Sequence, residues 1–249
     1  MPRPLVSIVI ASYNYGRFLD EAIRSALAQT HQPVEVIVVD DGSQDDSVSV
    51  AKAHPVRLIT QANQGVSAAR NVGARAAGGA FLVFLDADDA LEPEYVECCL
   101  RTLQAAPLEV AYAYTGMRYF GSETGLFESR PFDPKALGEG NYIHAAALLR
   151  REAFEAVGGF DPAWREGLED YELWVRMLDR GYRGVLVPEP LLRYRRHGPS
   201  RNLMSGSTQK VLRWRMRLAY PRVFWRKLLK DPLRSLYFLL WLRLRRGKG

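Results

Sequence analysis

The residues best suited to chemistry lie in one stretch, Phe81 to Asp89, which reads FLVFLDADD. Five apolar residues run straight into Asp86, Ala87, Asp88 and Asp89. A short, continuously apolar run predicts a strand buried on both faces of a parallel sheet. Ligand sites in open α/β sheets lie just beyond the carboxyl ends of such strands. Three carboxylates gathered there repel one another unless a cation sits among them. Carboxylate oxygens suit magnesium or manganese, and such a metal usually also holds substrate phosphates. The expected chemistry is therefore that of a metal-bound, phosphorylated substrate. The plain alternative is an acidic surface turn.

Three more acidic or polar clusters fall at expected element ends: Ser12–Tyr13–Asn14, Asp40–Asp41–Gly42–Ser43 and Glu169–Asp170. In a parallel sheet the strand ends share one edge, so these clusters can converge on one cleft. Asp170 precedes the apolar stripe Leu173, Trp174, Met177 and Leu178 at helical spacing, which places it on the inward face of its helix. Either it satisfies free amides at a helix start, or it is a general base. An ordinary Asp, with a pKa of about 3.9, is a weak base at neutral pH. Partial burial and the adjacent Glu169 would raise it toward the range that abstracts a hydroxyl proton.

The elements that must position these groups alternate strand and helix over the first 90 residues. Strands are expected at 5–12, 34–40, 56–60 and 80–85, with helices at 18–29, from an N-cap at Ser43 to about His54, and at 65–77. Such alternation predicts an α/β fold with a doubly wound, mainly parallel sheet flanked by helices. A helix opening at Glu92–Pro93 follows, with Val96, Leu100 and Leu103 inward. Beyond it come a strand at 110–120, a loop-rich stretch at 121–140, and a strand at 145–150. A short helix at 151–157, a helix at 169–180 and a strand near 185–187 then finish the domain. The loop-rich stretch is a candidate acceptor-binding loop.

The chain has 249 residues and a net charge of +6, with ordinary proportions of apolar and charged residues. The charge is uneven. Residues 209–249 hold thirteen Lys and Arg against the single acid Asp231, which leaves the first 208 residues acidic by about six charges. A basic C-terminal tail on an acidic body points to an anionic partner. Its longest apolar run, Leu236 to Leu242, is far shorter than the roughly 20 residues a membrane span needs. Aromatic and Leu residues flanked by basic ones suit an interfacial membrane helix over 210–249, or a helical subdomain packed on the body. No nucleic-acid motif is present, and no leader segment is visible at the N-terminus. The adjacent Cys98 and Cys99 are expected to be reduced thiols, not a disulfide. The domains expected are 1–208, comprising a nucleotide-binding half at 1–106 and an acceptor-binding half at 107–208, and the tail at 209–249.

Four segments resemble family 2 glycosyltransferases of the GT-A fold. They are VSIVIASYN, VIVVDDGSQDDS, NQGVSAARNVGARAAGGAFLVFLDADD and GLEDYELWVRM, in that order. The resemblance implies that Ala11, Ser12 and Tyr13 line a nucleotide pocket, with Tyr13 packed on the base. Asp41, or less favourably Asp40, would accept an N–H of the base, which uracil, thymine and guanine all offer. Arg70 would sit near the base or the donor phosphates. Asp86 would face ribose and sugar. Asp88, with Asp89, would bind a divalent metal, manganese or magnesium, with His197 nearby. Asp170, beside Glu169, would be the general base of a direct displacement that inverts the anomeric centre. The resemblance also implies a nucleotide-sugar donor, a saccharide or lipid-linked acceptor in cell-surface polysaccharide or glycolipid assembly, and a cytoplasmic location on the inner face of the plasma membrane.

Processive members carry Gln-x-x-Arg-Trp. Here Gln209 and Arg213–Trp214 stand one residue too far apart, so one sugar added at a time is expected. The rival readings are a non-catalytic carbohydrate- or nucleotide-binding protein of the same fold and, less favoured, a metal-dependent phosphatase that also places Asp-x-Asp after an apolar strand.

Overall fold

The computed structural model describes residues 3–127, 129–197, 206–224 and 236. Its centre is β1 (Val6–Ser12), a strand of apolar residues buried on both faces. β2 (Val34–Asp40) and β4 (Phe81–Asp86) flank it in parallel, and β3 (Arg57–Thr60) lies outside β2. Beyond β4 the sheet turns mixed. β8 (Leu148–Arg150) runs antiparallel to β4, followed by β6 (Val110–Gly121), β9 (Arg183–Arg196) and β5 (Ala90–Leu91). A short β7 (Gly125–Phe127) pairs with β6. The expected fold is found: a mixed, mainly parallel sheet with helices on both faces.

The alternation of each strand assigns its side chains to one of two cores. On one face Val9, Ile37, Val39, Leu82 and Phe84 pack under α3 (Val66–Ala76), α6 (Arg151–Ala156) and α7 (Glu169–Asp179). On the other, Ile8, Ile10, Val36, Val38, Val83 and Leu85 pack under α1 (Gly16–Leu27) and α4 (Tyr95–Ala105). The remaining helices are α2 (Ser47–Lys52), α5 (Pro134–Glu139) and α8 (Gly206–Ala219).

α3 lies so close to the sheet that a Cβ on Gly73 would stand 2.2 Å from Val9 Cγ1. Gly73→Ala is therefore expected to destabilise the fold by about 1–2 kcal/mol. The clash of an overpacked core outweighs the up to roughly 1 kcal/mol that alanine gains in a helix. A lower urea midpoint at unchanged m-value is the result to look for.

Some elements differ from expectation. Ser43 caps no helix. Its hydroxyl accepts the Asn14 amide, while Asp45 takes the amides of Gly16 and Ser47, and α2 starts at Ser47 behind Asp46, three residues later than expected. The 121–140 stretch contains β7 and α5, the latter capped by Asp133 with Pro134 in its first turn. The strand near 185–187 is part of the 14-residue β9, which passes Pro188 and Pro190 with a register shift against β6 between Thr115 and Met117. The prolines read as an end, but the strand resumes after the irregularity.

α8 begins at Gly206, ahead of the expected boundary at 208/209. Leu212, Met216 and Phe224 are buried in the core beside α7. As far as Phe224 the tail therefore packs on the body; Leu236 is exposed, and the rest of 225–249 lies outside the described residues. Cys98 and Cys99 are free thiols. Among the described residues no helix is long and apolar enough to cross a membrane.

Candidate active site

The carboxyl ends of β1, β2 and β4 form one edge, and the register fixes which way their terminal residues point. Ala11 is level with Val39 and Asp86, so Asp86 faces the side covered by α3. Arg70 of α3 reaches it there. One guanidinium nitrogen donates to Asp86 Oδ1 and another to Glu169 Oε1 at 3.2 Å. Arg70 is buried, and its charge is held firmly by those two carboxylates and by the Phe160 ring under its face. This single side chain ties α3, β4 and α7 together. Next to it, Asn71 exchanges two hydrogen bonds with the backbone of Phe160, pinning the segment that leads into α7.

α7 enters the site through Leu168, a non-glycine residue at φ 62°. That left-handed conformation costs on the order of 1–3 kcal/mol and recurs at functional sites. It turns Glu169 and Asp170 toward the cleft. Asp170 Oδ1 accepts its neighbour's amide, Tyr171 N–H, and Oδ2 accepts Asn141 Nδ2–H at 2.9 Å. Burial, then Glu169, pushes the Asp170 carboxyl up to about 7; the Tyr171 amide and Arg70 pull it down, and Asp86 adds to the rise. A carboxylate in that range is half-ionised near neutral pH and suited to take a proton.

At the other side of the cleft, Asp88 Oδ2 lies 2.8 Å from His197 Nε2. The His197 ring is packed by Tyr15 and Phe18. Burial, then Asp86, holds the Asp88 carboxyl above its ordinary value, and His197 opposes the shift. Asp89 is turned into the protein, where Oδ1 accepts the Arg195 amide at 2.8 Å. Burial, then Asp86 and Asp88, raises it well above the usual carboxylate range. Its visible task is to hold β9 against the loop, which turns it away from the position of a metal ligand beside Asp88. Arg195 donates to Asp88 O and to Glu21, and Arg196 pairs with Glu123.

At the β1–β2 end Tyr13 is exposed, and the hydroxyl of Ser12 is buried without a partner. Asp41 is engaged. Oδ1 accepts Gln61 Nε2–H and Gln64 N–H, and Oδ2 accepts Gly65 N–H, which shapes the loop into α3 at the positive φ of Gly65. Asp40 Oδ1 accepts Ser43 N–H, whereas its Oδ2 is buried with no partner.

The structure thus brings Arg70, Asp86, Glu169 and Asp170 into one connected group, with Asp88 and His197 linked to it through Asp86. Asn141 and Leu168 were not signalled by the sequence. Asn141 follows a glycine-rich loop with no periodicity to mark it, and nothing in the string LED distinguishes a left-handed leucine. Among the described residues no three His, Cys, Asp or Glu side chains are arranged to hold an ion by themselves.

Residues 7–158 match the family described as Glycosyl transferase family 2. Chondroitin synthase of Escherichia coli is 31% identical over 187 residues, 72% of this chain but 27% of that protein. An uncharacterized glycosyltransferase of Nostoc sp. is 41% identical over 223 residues, 81% of this chain and 68% of its own length. Among solved structures, Staphylococcus aureus TarS 1-349 in complex with UDP-GlcNAc superposes with a TM-score of 0.69 at 16% identity, covering 86% of this chain and 66% of that one. The mannosyltransferase PcManGT of Pyrobaculum calidifontis, in complex with GDP-Man and Mn2+, superposes at 0.58 with 22% identity, covering 93% and 66%. At these identities the structural likeness speaks for the fold alone.

Proposed function

The chain belongs to glycosyl transferase family 2, and from that premise we propose that it moves a sugar from a nucleoside-diphosphate donor to an acceptor hydroxyl with inversion at the anomeric carbon. The observation that carries this reading is Asp170. It is a carboxylate raised to about 7, held by Asn141 and connected through Glu169 and Arg70 to Asp86 on the nucleotide side of the cleft. Asp170 takes the proton of the acceptor hydroxyl as that oxygen attacks the anomeric carbon. The bond from that carbon to the donor's diphosphate breaks, and the nucleoside diphosphate leaves. One displacement inverts the centre.

The exposed ring of Tyr13 is the stacking surface for the base. Ala11, Ser12 and Asp41 border it, Asp41 through the one lone pair of Oδ2 that its loop contacts leave over. Asp86 orients ribose and sugar, and Arg70 keeps Asp86 and Glu169 in place. Asp88 and His197 are the residues that would hold a divalent cation, manganese or magnesium, and their chemistry fits: two ligands side by side among crowded carboxylates, with the remaining positions left to donor phosphates. Such a cation would neutralise the charge on the departing nucleoside diphosphate. The acceptor is a saccharide or lipid-linked saccharide of the cell surface, reached from the cytoplasmic face of the plasma membrane, where the basic residues beyond α8 meet anionic lipid.

The test is the melting temperature with UDP, GDP or dTDP, each with and without manganese. A ligand that binds only the native state raises it, by about 2.7 kcal/mol of stability at a hundred times its dissociation constant. The expected result is a rise that needs one nucleotide and the metal together and is lost in Asp88→Ala. No rise with any pair at millimolar concentration would overturn the reading.

A further inference from the structure

Asn141 has a geometry that its exposed position in a loop does not require. Its side-chain oxygen accepts the Ile143 amide at 3.1 Å, closing an Asx turn. With the oxygen so committed, the amide nitrogen must point the other way, toward Asp170 Oδ2 at 2.9 Å. The turn is anchored in turn to the helix that carries the base, because Trp174 Nε1–H of α7 donates to Ile143 O at 3.1 Å and Trp174 is fully buried. The donor and its target are thus fixed against the same helix from two directions.

From this we propose that Asn141 is the positioning residue for Asp170: its amide fixes the carboxylate's rotamer and favours its ionised form, leaving a lone pair of Oδ2 for the acceptor hydroxyl. The inference rests on the reading of Asp170 as the general base. Oδ1 accepts Tyr171 N–H and Oδ2 accepts Asn141 Nδ2–H, so each oxygen keeps one lone pair. The charged groups that face Asp170 are Glu169 on its own helix, Arg70 of α3 and Asp86 of β4. Two of these oppose ionisation and one favours it, so a neutral donor from the loop has a clear effect to exert. A hydrogen bond to the charged form lowers a carboxyl pKa.

The experiment is the carbon-13 NMR titration of the Asp170 carboxyl in the whole chain without ligand, for the wild type, Asn141→Leu and Asn141→Asp. Asn141→Asp keeps the acceptor that closes the turn but removes the donor and adds a charge. Expected is a midpoint raised by about one unit in Asn141→Leu and by more in Asn141→Asp, with melting temperatures close to wild type for the latter at low pH. In turnover, the acid limb of kcat should move up with the same midpoint while KM for donor changes little. If Asn141→Asp titrates as the wild type does, or if Asp170 in the wild type shows the same midpoint as in Asn141→Leu, the residue merely closes a loop and the proposal fails. The titration reads Asp170 directly, so it stands even if no sugar is transferred; failure of the glycosyltransfer reading would instead appear as shifted midpoints without nucleotide binding.

Discussion

Asp170→Asn should lower sugar transfer by about 10²–10⁴-fold, the contribution of a positioned general base, and leave nucleotide binding intact. Asparagine has nearly the same shape and its single oxygen can still accept from Tyr171 N–H, but it gives up the acceptor that faces Asn141 and it cannot take a proton. A binding module of the same fold would lose nothing measurable, so the substitution separates the two kinds of protein. The wild-type rate should rise with pH through about 7, where burial and Glu169 have pushed the carboxyl. The same shift has a stability consequence. The native carboxyl binds its proton more tightly than the unfolded chain's, whose pKa is about 3.9. Stability from this group is therefore full below about pH 4 and is lost as pH rises through about 7. Asp170→Asn removes that loss. At pH 8 the variant should melt higher than the wild type, and the gap should close near pH 4. A protein that sacrifices stability at its catalytic base follows the usual trade between activity and stability. Equal melting temperatures at both pH values would show that Asp170 is not held in the unfavourable environment described here.

Arg70→Met should cost about 3 kcal/mol of stability. Removing one partner of a buried ion pair typically costs about 3–5 kcal/mol, because the other charge is left uncompensated. Here the lower end applies, since the Asp86 side chain is 38% exposed and water can relieve it, whereas Glu169 is mostly enclosed. Methionine fills the volume, so the loss reads as charge and not as cavity. Arg70→Lys should recover only part of it, because one ammonium cannot span two carboxylates as a guanidinium fork does. Urea denaturation measures both. The variant should also carry Asp170 to a higher midpoint, since Arg70 is among the groups that hold it down. A stable Arg70→Met with an unmoved Asp170 would sink the account of Arg70 as the link between the two sides of the cleft.

The sequence by itself determined the sheet's parallel half and the chemistry at its edge. Strand hydrophobicity is local information: LVSIVIAS, VEVIVVD and FLVFLD are buried on both faces, so each announces itself without neighbours. Parallel strands end on one edge by construction, which is why Asp41, Asp86 and Asp88 could be grouped in advance. Asp170 was placed inward by helical spacing alone. What the string could not carry was partnership across long separations. Arg70 and Glu169 are 99 residues apart, His197 and Asp88 are 109 apart, and Asn141 meets Asp170 from a loop without periodicity. Nor could it show that Asp41 is occupied by the 61–65 loop, that Asp89 faces inward to hold Arg195, or that β9 continues past two prolines. Each of these depends on which groups compete for one carboxylate once the chain is compact. Only the tertiary structure decides that competition, because hydrogen-bond and charge partners are chosen by distance in space and desolvation, whereas a strand or helix is chosen by its own residues.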